Sequence, residues 1–469
     1  MENIVGRKEE IAVLQSLKSS GKSAFVAVYG RRRVGKTFLI RAVFDKQFSF
    51  QATGLANVGL RPQLANFHAA LVKQFPQMEK RAAAKNWFES FLNLSDGLES
   101  DPRPQKIVFL DELPWFDSPQ SGFVSALEHF WNSWASARTD VLLITCGSAA
   151  SWMVNNLINN HGGLHNRVTH RLRLQPFTLG ECEAFFQQKA MPIDRYQLLQ
   201  LYMVMGGIPF YLEQVRPGLS AAQNIDRLCF GEDGPLRKEF DNLYPSLFKK
   251  SEKHLALVEA LAKKAKGMTR NELLATAKLP DGGNITRTLR ELEESNFIRR
   301  YNAFGNKKNN AFYQLCDFYS LFYLRFIKDA GLNEENTWTN TLDHPAVRAW
   351  SGYAFEQVCL AHIPAIKKAL GIQGIHTQTS AWTGDGVQID LVMDRRDRVI
   401  NLFEIKFSIN AFTIDKNYAA QLRHKAGVFR EQTRTSKAIF LTMLTTFGLT
   451  PNEYSGSAVQ RSLTMDVLF

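Results

Sequence analysis

An α/β fold with a parallel sheet is predicted, and three stretches predict it. Ala24 to Tyr29 is an unbroken apolar run, followed by Gly30-Arg31-Arg32-Arg33-Val34-Gly35-Lys36-Thr37 and then by the apolar-rich Phe38 to Val43. This is strand, glycine-bounded loop and helix, with the phosphate-binding spacing G-x-x-x-x-G-K-S/T. A second apolar run, from Lys106, ends in two acids, Asp111 and Glu112. A third, from Val141, ends in Ser148. Continuous apolar strands of this kind are buried on both faces, as in parallel sheets.

Each element carries an expectation about chemistry. The loop holding Gly30, Arg33 and Gly35 should turn backbone N–H groups onto the phosphates of ATP, helped by the helix N-terminus. Lys36 should reach the β- and γ-phosphates, and the Thr37 hydroxyl should sit on Mg2+. Asp111 should hold the same Mg2+, directly or through water, because a parallel strand delivers its last residues to the ligand-binding edge of the sheet. Glu112 is placed to polarise a water for attack on the γ-phosphate. Ser148 is a candidate sensor of that phosphate, and a helix N-cap suits it equally well. Upstream, Gly6 and Arg7 open an amphipathic stretch through Leu17. By itself it is an ordinary surface helix, and its place ahead of the loop suggests a lid over the adenine. A further strand, His170 to Leu174, follows Gly162-Gly163-Leu164-His165-Asn166-Arg167. Arg167 is a candidate arginine finger, although a solvated loop arginine is the plainer reading.

Composition bounds the rest. At 469 residues the chain is long enough for about three domains. No apolar run reaches the roughly 18 residues of a membrane span, and the first residues do not form a signal peptide. Five cysteines lie far apart with no metal-ligand spacing, as in a reduced, cytoplasmic protein. A net charge of +12 favours a polyanionic partner such as nucleic acid.

The order Val5-Gly6-Arg7, Gly30 to Thr37, Asp111-Glu112 and Gly147-Ser148 resembles the archaeal-type ATPases of the AAA+-related, signal-transduction branch of phosphate-loop NTPases. The resemblance extends to Met205-Gly206-Gly207-Ile208-Pro209, which is similar to a Gly-Gly-x-Pro element in that family's helical lid. It implies an ATP-driven switch and often homo-oligomers. It divides the first half into an ATPase core, residues 1–180, and a lid, residues 181–250.

The middle, residues 251–335, reads as a winged helix. One helix carries Leu255, Val258 and Leu261. Thr269-Arg270-Asn271-Glu272 is a capping box for the second, and Asn284 is a candidate cap for the third. Two alternating strands follow, with the polar loop Gly305 to Asn310 between them. Arg287, Arg290, Lys307 and Lys308 are candidate DNA contacts. Glu291, Glu293 and Glu294 would repel phosphate, so a protein–protein spacer fits as well as a DNA binder.

The last segment, residues 336–469, places Asp390 in one strand and Glu404 and Lys406 in the next. In a strand Glu404 and Lys406 share a face. Acid, then acid-x-lysine on a neighbouring strand, is a recipe for metal-dependent phosphodiester hydrolysis. Asp390 and Glu404 would hold Mg2+, with the Ile405 carbonyl and Glu356 completing the shell, and Lys406 would orient the water. The segment resembles the restriction-endonuclease-like superfamily, and more closely the C-terminal domain that accompanies archaeal-type ATPases. The whole chain is thus read as an ATP-hydrolysing switch coupled to a metal-dependent nuclease-like domain acting on DNA. The alternative is a nucleotide-regulated DNA- or protein-binding module with an inactive nuclease fold.

Overall fold

The computed structural model describes residues 4–159, 166–248, 250–305, 311–331 and 337–469. The chain divides into two compact units, one ending at Pro176 and the other beginning at Phe177.

The first unit is built on five parallel strands, β1 (Ala24–Tyr29), β2 (Phe48–Thr53), β3 (Lys106–Asp111), β4 (Val141–Gly147) and β5 (His170–Arg173). Their order across the sheet is β2-β3-β4-β1-β5. β3 and β4 are buried along their whole length, as two-sided packing requires. β2 escapes a purely apolar reading because Phe48-Ser49-Phe50-Gln51-Ala52-Thr53 is half polar. It pairs on the open side of β3. Helices α1 (Lys8–Ser19), α2 (Lys36–Val43), α3 (Leu60–Gln74), α4 (Trp87–Glu99) and α5 (Phe123–Ser133) complete the main frame. An aromatic cluster forms part of the core, with the Trp87 ring 5.5 Å from Phe67 and 4.9 Å from Phe123.

The second unit starts with α6 (Leu179–Gln188) and α7 (Arg195–Met205). α7 ends at Gly206, whose φ of +62° opens a bend. Beside it, Gly207 leaves no room for a side chain, since a Cβ there would lie 1.8 Å from the Phe177 carbonyl oxygen. That close approach is used, because the Phe177 N–H donates to the Gly207 carbonyl at 2.7 Å. Gly207→Ala is expected to cost more than about 3 kcal/mol, because backbone rather than a flexible side chain must move. Denaturant unfolding checks this, and a variant within about 1 kcal/mol of the parent would refute it.

Next come α8 (Glu252–Ala262), β6 (Met268–Thr269), α9 (Arg270–Ala277), α10 (Gly283–Glu294), β7 (Ile298–Asn302) and β8 (Ala311–Leu315). The three strands form an antiparallel sheet in the order β6-β8-β7. The capping box forms as expected, with Thr269 accepting from the Glu272 N–H. The cap of α10 is Gly282, not Asn284, which lies within the first turn. The preceding Asp281 side chain accepts the Gly282 N–H, so the helix starts earlier. Lys307 and Lys308 lie outside the described residues.

Glu291 does not face solvent as a simple repelling charge. It is buried and accepts from His254 Nε2 at 2.8 Å and from Arg287 Nε at 2.9 Å. Burial pushes its carboxyl up, but these two partners more than offset that and hold it below its ordinary value. Its stabilisation is therefore present above about pH 4.5 and is lost as the pH falls through the lower folded value. Glu291→Ala should cost roughly 2 kcal/mol at neutral pH and less in acid, as read by thermal unfolding across pH.

The chain ends in a mixed sheet of β9 (Thr377–Gly384), β10 (Val387–Arg395), β11 (Val399–Lys406), β12 (Ala438–Thr445) and β13 (Arg461–Thr464), in the order β13-β12-β11-β10-β9. β9, β10 and β11 are antiparallel, while β11, β12 and β13 are parallel. α11 (Pro345–Ala361) packs on β11. α12 (Lys416–Thr433) supplies Ala419, Leu422 and Phe429 to the core of this sheet.

Candidate functional site

In the first unit the loop after β1 is turned by three residues of positive φ, Gly30 at 145°, Arg33 at 70° and Gly35 at 89°. Gly30 is also required by space, since a Cβ would lie 2.3 Å from the Leu174 carbonyl oxygen. α2 then begins at Lys36, so its first N–H groups face the loop. Lys36 is buried, and its Nζ donates to the carbonyls of Gly30 and Arg31 at 3.0 and 2.9 Å. Burial pushes its pKa down, while Cys146, Glu112 and Asp111 pull it back up.

Thr37 Oγ1 lies 3.1 Å from each carboxylate oxygen of Asp111. Burial and the neighbouring Glu112 charge raise the Asp111 pKa. Glu112 adopts a left-handed conformation (φ 48°), which turns its side chain away from the line of β3. There its carboxylate accepts from the Ser148 hydroxyl at 2.7 Å and from the Ser148 N–H at 3.2 Å. The insertion of β4 between β1 and β3 makes this contact possible. Arg7 is buried and left-handed. Its guanidinium donates to the carbonyls of Val34, at 3.2 Å, and Gln175, at 2.7 Å. It thus clamps the loop to the exit of β5. Gly6 precedes it, also with positive φ. Arg167 sits exposed in the turn before β5, while Gly162 to His165 lie outside the described residues.

In the second unit the register Leu391 to Phe403 sets Asp390 beside Glu404 across β10 and β11. The β9–β10 pairing is irregular between Ile389 and Val392, around Asp390. Such bulges re-aim a side chain. Asp390 accepts from the Gln388 amide at 2.5 Å. Glu404 is buried and accepts from Tyr418 at 2.7 Å and Lys425 at 2.7 Å, with Lys406 Nζ at 3.0 Å. Burial pushes the Glu404 carboxyl up, but the two lysines reverse this and hold it below the usual range. Asp390 is raised by burial and by Glu404. Glu356, on α11, is pushed up to about 8 by burial and by Asp390. The four predicted residues are thus electrostatic neighbours. Among the described residues, no three or more His, Cys, Asp or Glu side chains are grouped closely enough to hold a metal ion together.

The family described as "ATPase domain predominantly from Archaea" matches residues 4–215. These residues form an archaeal-type ATPase domain. The match runs past Pro176 and takes in α6, α7 and the Gly206-Gly207 bend. Over 411 residues the chain is 25% identical to an uncharacterized protein of Methanocaldococcus jannaschii, covering 86% of this chain and 87% of that protein. A Walker-type ATPase of Pyrococcus abyssi aligns with a TM-score of 0.49 at 17% identity, over 69% of this chain and 97% of its own. The ORC2 protein of Aeropyrum pernix, in its ADPNP–ADP complexes, aligns with a TM-score of 0.42 at 16% identity, over 70% of this chain and 95% of its own. No described helix is long and apolar enough to cross a membrane.

Within the ATPase domain the fold brings together Gly30, Arg33, Gly35, Lys36, Thr37, Asp111, Glu112 and Ser148. Two residues near the second acid cluster were not expected from sequence. Tyr418 and Lys425 lie seven apart on α12, so they fall on one helix face. That spacing was readable, but its facing Glu404 depends on how α12 packs.

Proposed function

We propose that the chain is an ATP-hydrolysing switch coupled to a metal-dependent nuclease-like segment that acts on DNA in the cytoplasm. The observation that carries the coupling to hydrolysis of a phosphodiester is the placement of Asp390 beside Glu404, with Lys406 on the Glu404 face.

In the ATP site, Thr37 and Asp111 offer hydroxyl and carboxylate oxygens 3.1 Å apart, the donor chemistry that suits Mg2+. Mg2+ held there would supply positive charge against the phosphate oxygens. Lys36 exchanges its two carbonyl partners for phosphate oxygens. Glu112 orients the attacking water, and Ser148 holds the carboxylate until nucleotide arrives. Arg7 and Gly6 act by fixing the loop. Arg167 is exposed and so available to a neighbouring copy in a homo-oligomer. In the second unit, Asp390 and Glu404 are the carboxylates that would offer oxygen to Mg2+ or Mn2+, which would supply an activated water there; the three acids including Glu356 are not grouped closely enough to hold the ion together. Lys406 and Lys425 neutralise the phosphate.

One observation favours a second reading, in which the segment binds DNA or protein without cutting. Both Glu404 oxygens are already engaged by Lys406, Lys425 and Tyr418, so a cation must displace them. The two readings separate when linear and supercoiled DNA are incubated with the protein and Mg2+ or Mn2+, with and without ATP. Cleavage that responds to ATP supports the first reading. Salt-sensitive binding with no cleavage under any condition supports the second.

A further inference from the structure

A cavity of about 530 Å³ opens within the second unit, between β7, α11 and the β9–β10 pair. Its lining includes two acids, Glu356 and Asp390, and three cations, Lys266, Arg299 and Arg300. Tyr301 and Tyr353 also line it. β7 and β9 are joined at the cavity. Ala303, just past β7, bridges to Ala381 of β9, and the Phe304 N–H donates to the Ala381 carbonyl at 2.8 Å. The Phe304 ring lies 5.0 Å from Phe429 of α12. Arg299 is held in place by Gln314, at 2.8 Å, and by Gln357. Gln314 in turn donates to the Ala265 carbonyl at 2.6 Å.

We infer that this cavity takes one unpaired strand of DNA, with phosphates against Lys266, Arg299 and Arg300 and a base against Tyr301 or Tyr353. The inference deepens the nuclease reading and rests on it for the chemistry at Asp390. Three arguments carry it. The volume is that of a pocket enclosing one small ligand, with room for a nucleotide or two and not for the width of a duplex. Cations together with aromatic rings, here Lys266, Arg299 and Arg300 with Tyr301 and Tyr353, are the means by which single strands are held without sequence preference. Glu356 and Asp390 in the same cavity repel a bare phosphate, so a strand held there by the cations has its linkage close to the carboxylates. On this account β7 forms part of the cleft and is not merely a spacer.

The test uses the full chain carrying Asp390→Asn, so that the strand stays intact. Its binding to a fluorescent oligo-dT of about 20 nucleotides is compared by anisotropy with binding to a blunt duplex of the same length. The single strand should bind at least about tenfold more tightly, and Lys266→Glu with Arg300→Glu should remove that advantage. Lys266→Arg with Arg300→Lys should keep it. ATP hydrolysis and the melting temperature of both double variants report that the fold is intact. Equal affinity for the duplex, or unchanged strand binding in the charge-reversed variant, overturns the assignment. Strand binding that needs Lys266 and Arg300, in a protein whose Asp390 form never cuts, sustains the cavity and removes the nuclease.

Discussion

Lys36→Ala should abolish ATP hydrolysis, with kcat falling by roughly a thousandfold or more. Lys36 is buried at the turn between β1 and α2, where its ammonium is held by two loop carbonyls. Burial weakens its hold on the proton, yet Asp111 and Glu112 nearby favour the charged form. The ammonium is therefore a preorganised positive charge in a poorly hydrated site, where such a group is worth far more than in water. Alanine leaves the two carbonyls without this donor, but the glycine-turned backbone needs no side chain from position 36 to form. A melting temperature near the parent's, with hydrolysis lost, is the expected pair of results. Steady-state phosphate release checks it, and hydrolysis within tenfold of the parent would refute the assignment. Glu112→Gln should also lose hydrolysis while retaining nucleotide, since the amide keeps a partner for Ser148 but cannot act as a base.

On the nuclease reading proposed above, Asp390→Ala should abolish metal-dependent DNA cleavage by a comparable factor and leave ATP hydrolysis intact. The variant should not be less stable at neutral pH. Burial and the Glu404 charge raise the Asp390 carboxyl above its ordinary value. A folded state that binds its proton more tightly than the unfolded state loses stability as the pH rises from the ordinary carboxylate range through the higher folded value. Removing Asp390 removes that loss. The variant should therefore match the parent near pH 4 and melt higher at pH 8, as read by calorimetry. Cleavage that survives the substitution would show that phosphodiester chemistry, if present, lies elsewhere. A melting temperature that drops at pH 8 would show that Asp390 is held by attractive partners rather than opposed by Glu404.

Much of the phosphate-loop geometry was legible because its information is local. Eight consecutive residues specify a loop whose glycines supply positive φ, and the apolar run before it can only be a buried strand. Asp111 and Glu112 were legible as a strand end. Arg7 was singled out ahead of the loop, but its contacts were not legible. Its guanidinium serves Val34 and Gln175, contacts between residues 27 and 168 positions apart. In the middle of the chain, Glu291 was read as an exposed charge because α10 is polar on most sides. Its partner His254 lies on another helix, and no periodicity within α10 announces it.

The sequence by itself determined the spacing of the phosphate loop, the acids at the end of β3 and the pairing of Glu404 with Lys406 on one strand face. These follow from backbone geometry over a few residues. Only the tertiary structure decided that β4 runs between β1 and β3, which carries Ser148 to Glu112. It also decided that Tyr418 and Lys425 close on Glu404, and that residues of β7 line one cavity with Asp390 and Glu356. The physical reason is that strand order and helix docking are set by how apolar faces far apart in the chain bury one another. The side chains opposite, which build the sites, are brought along by that packing.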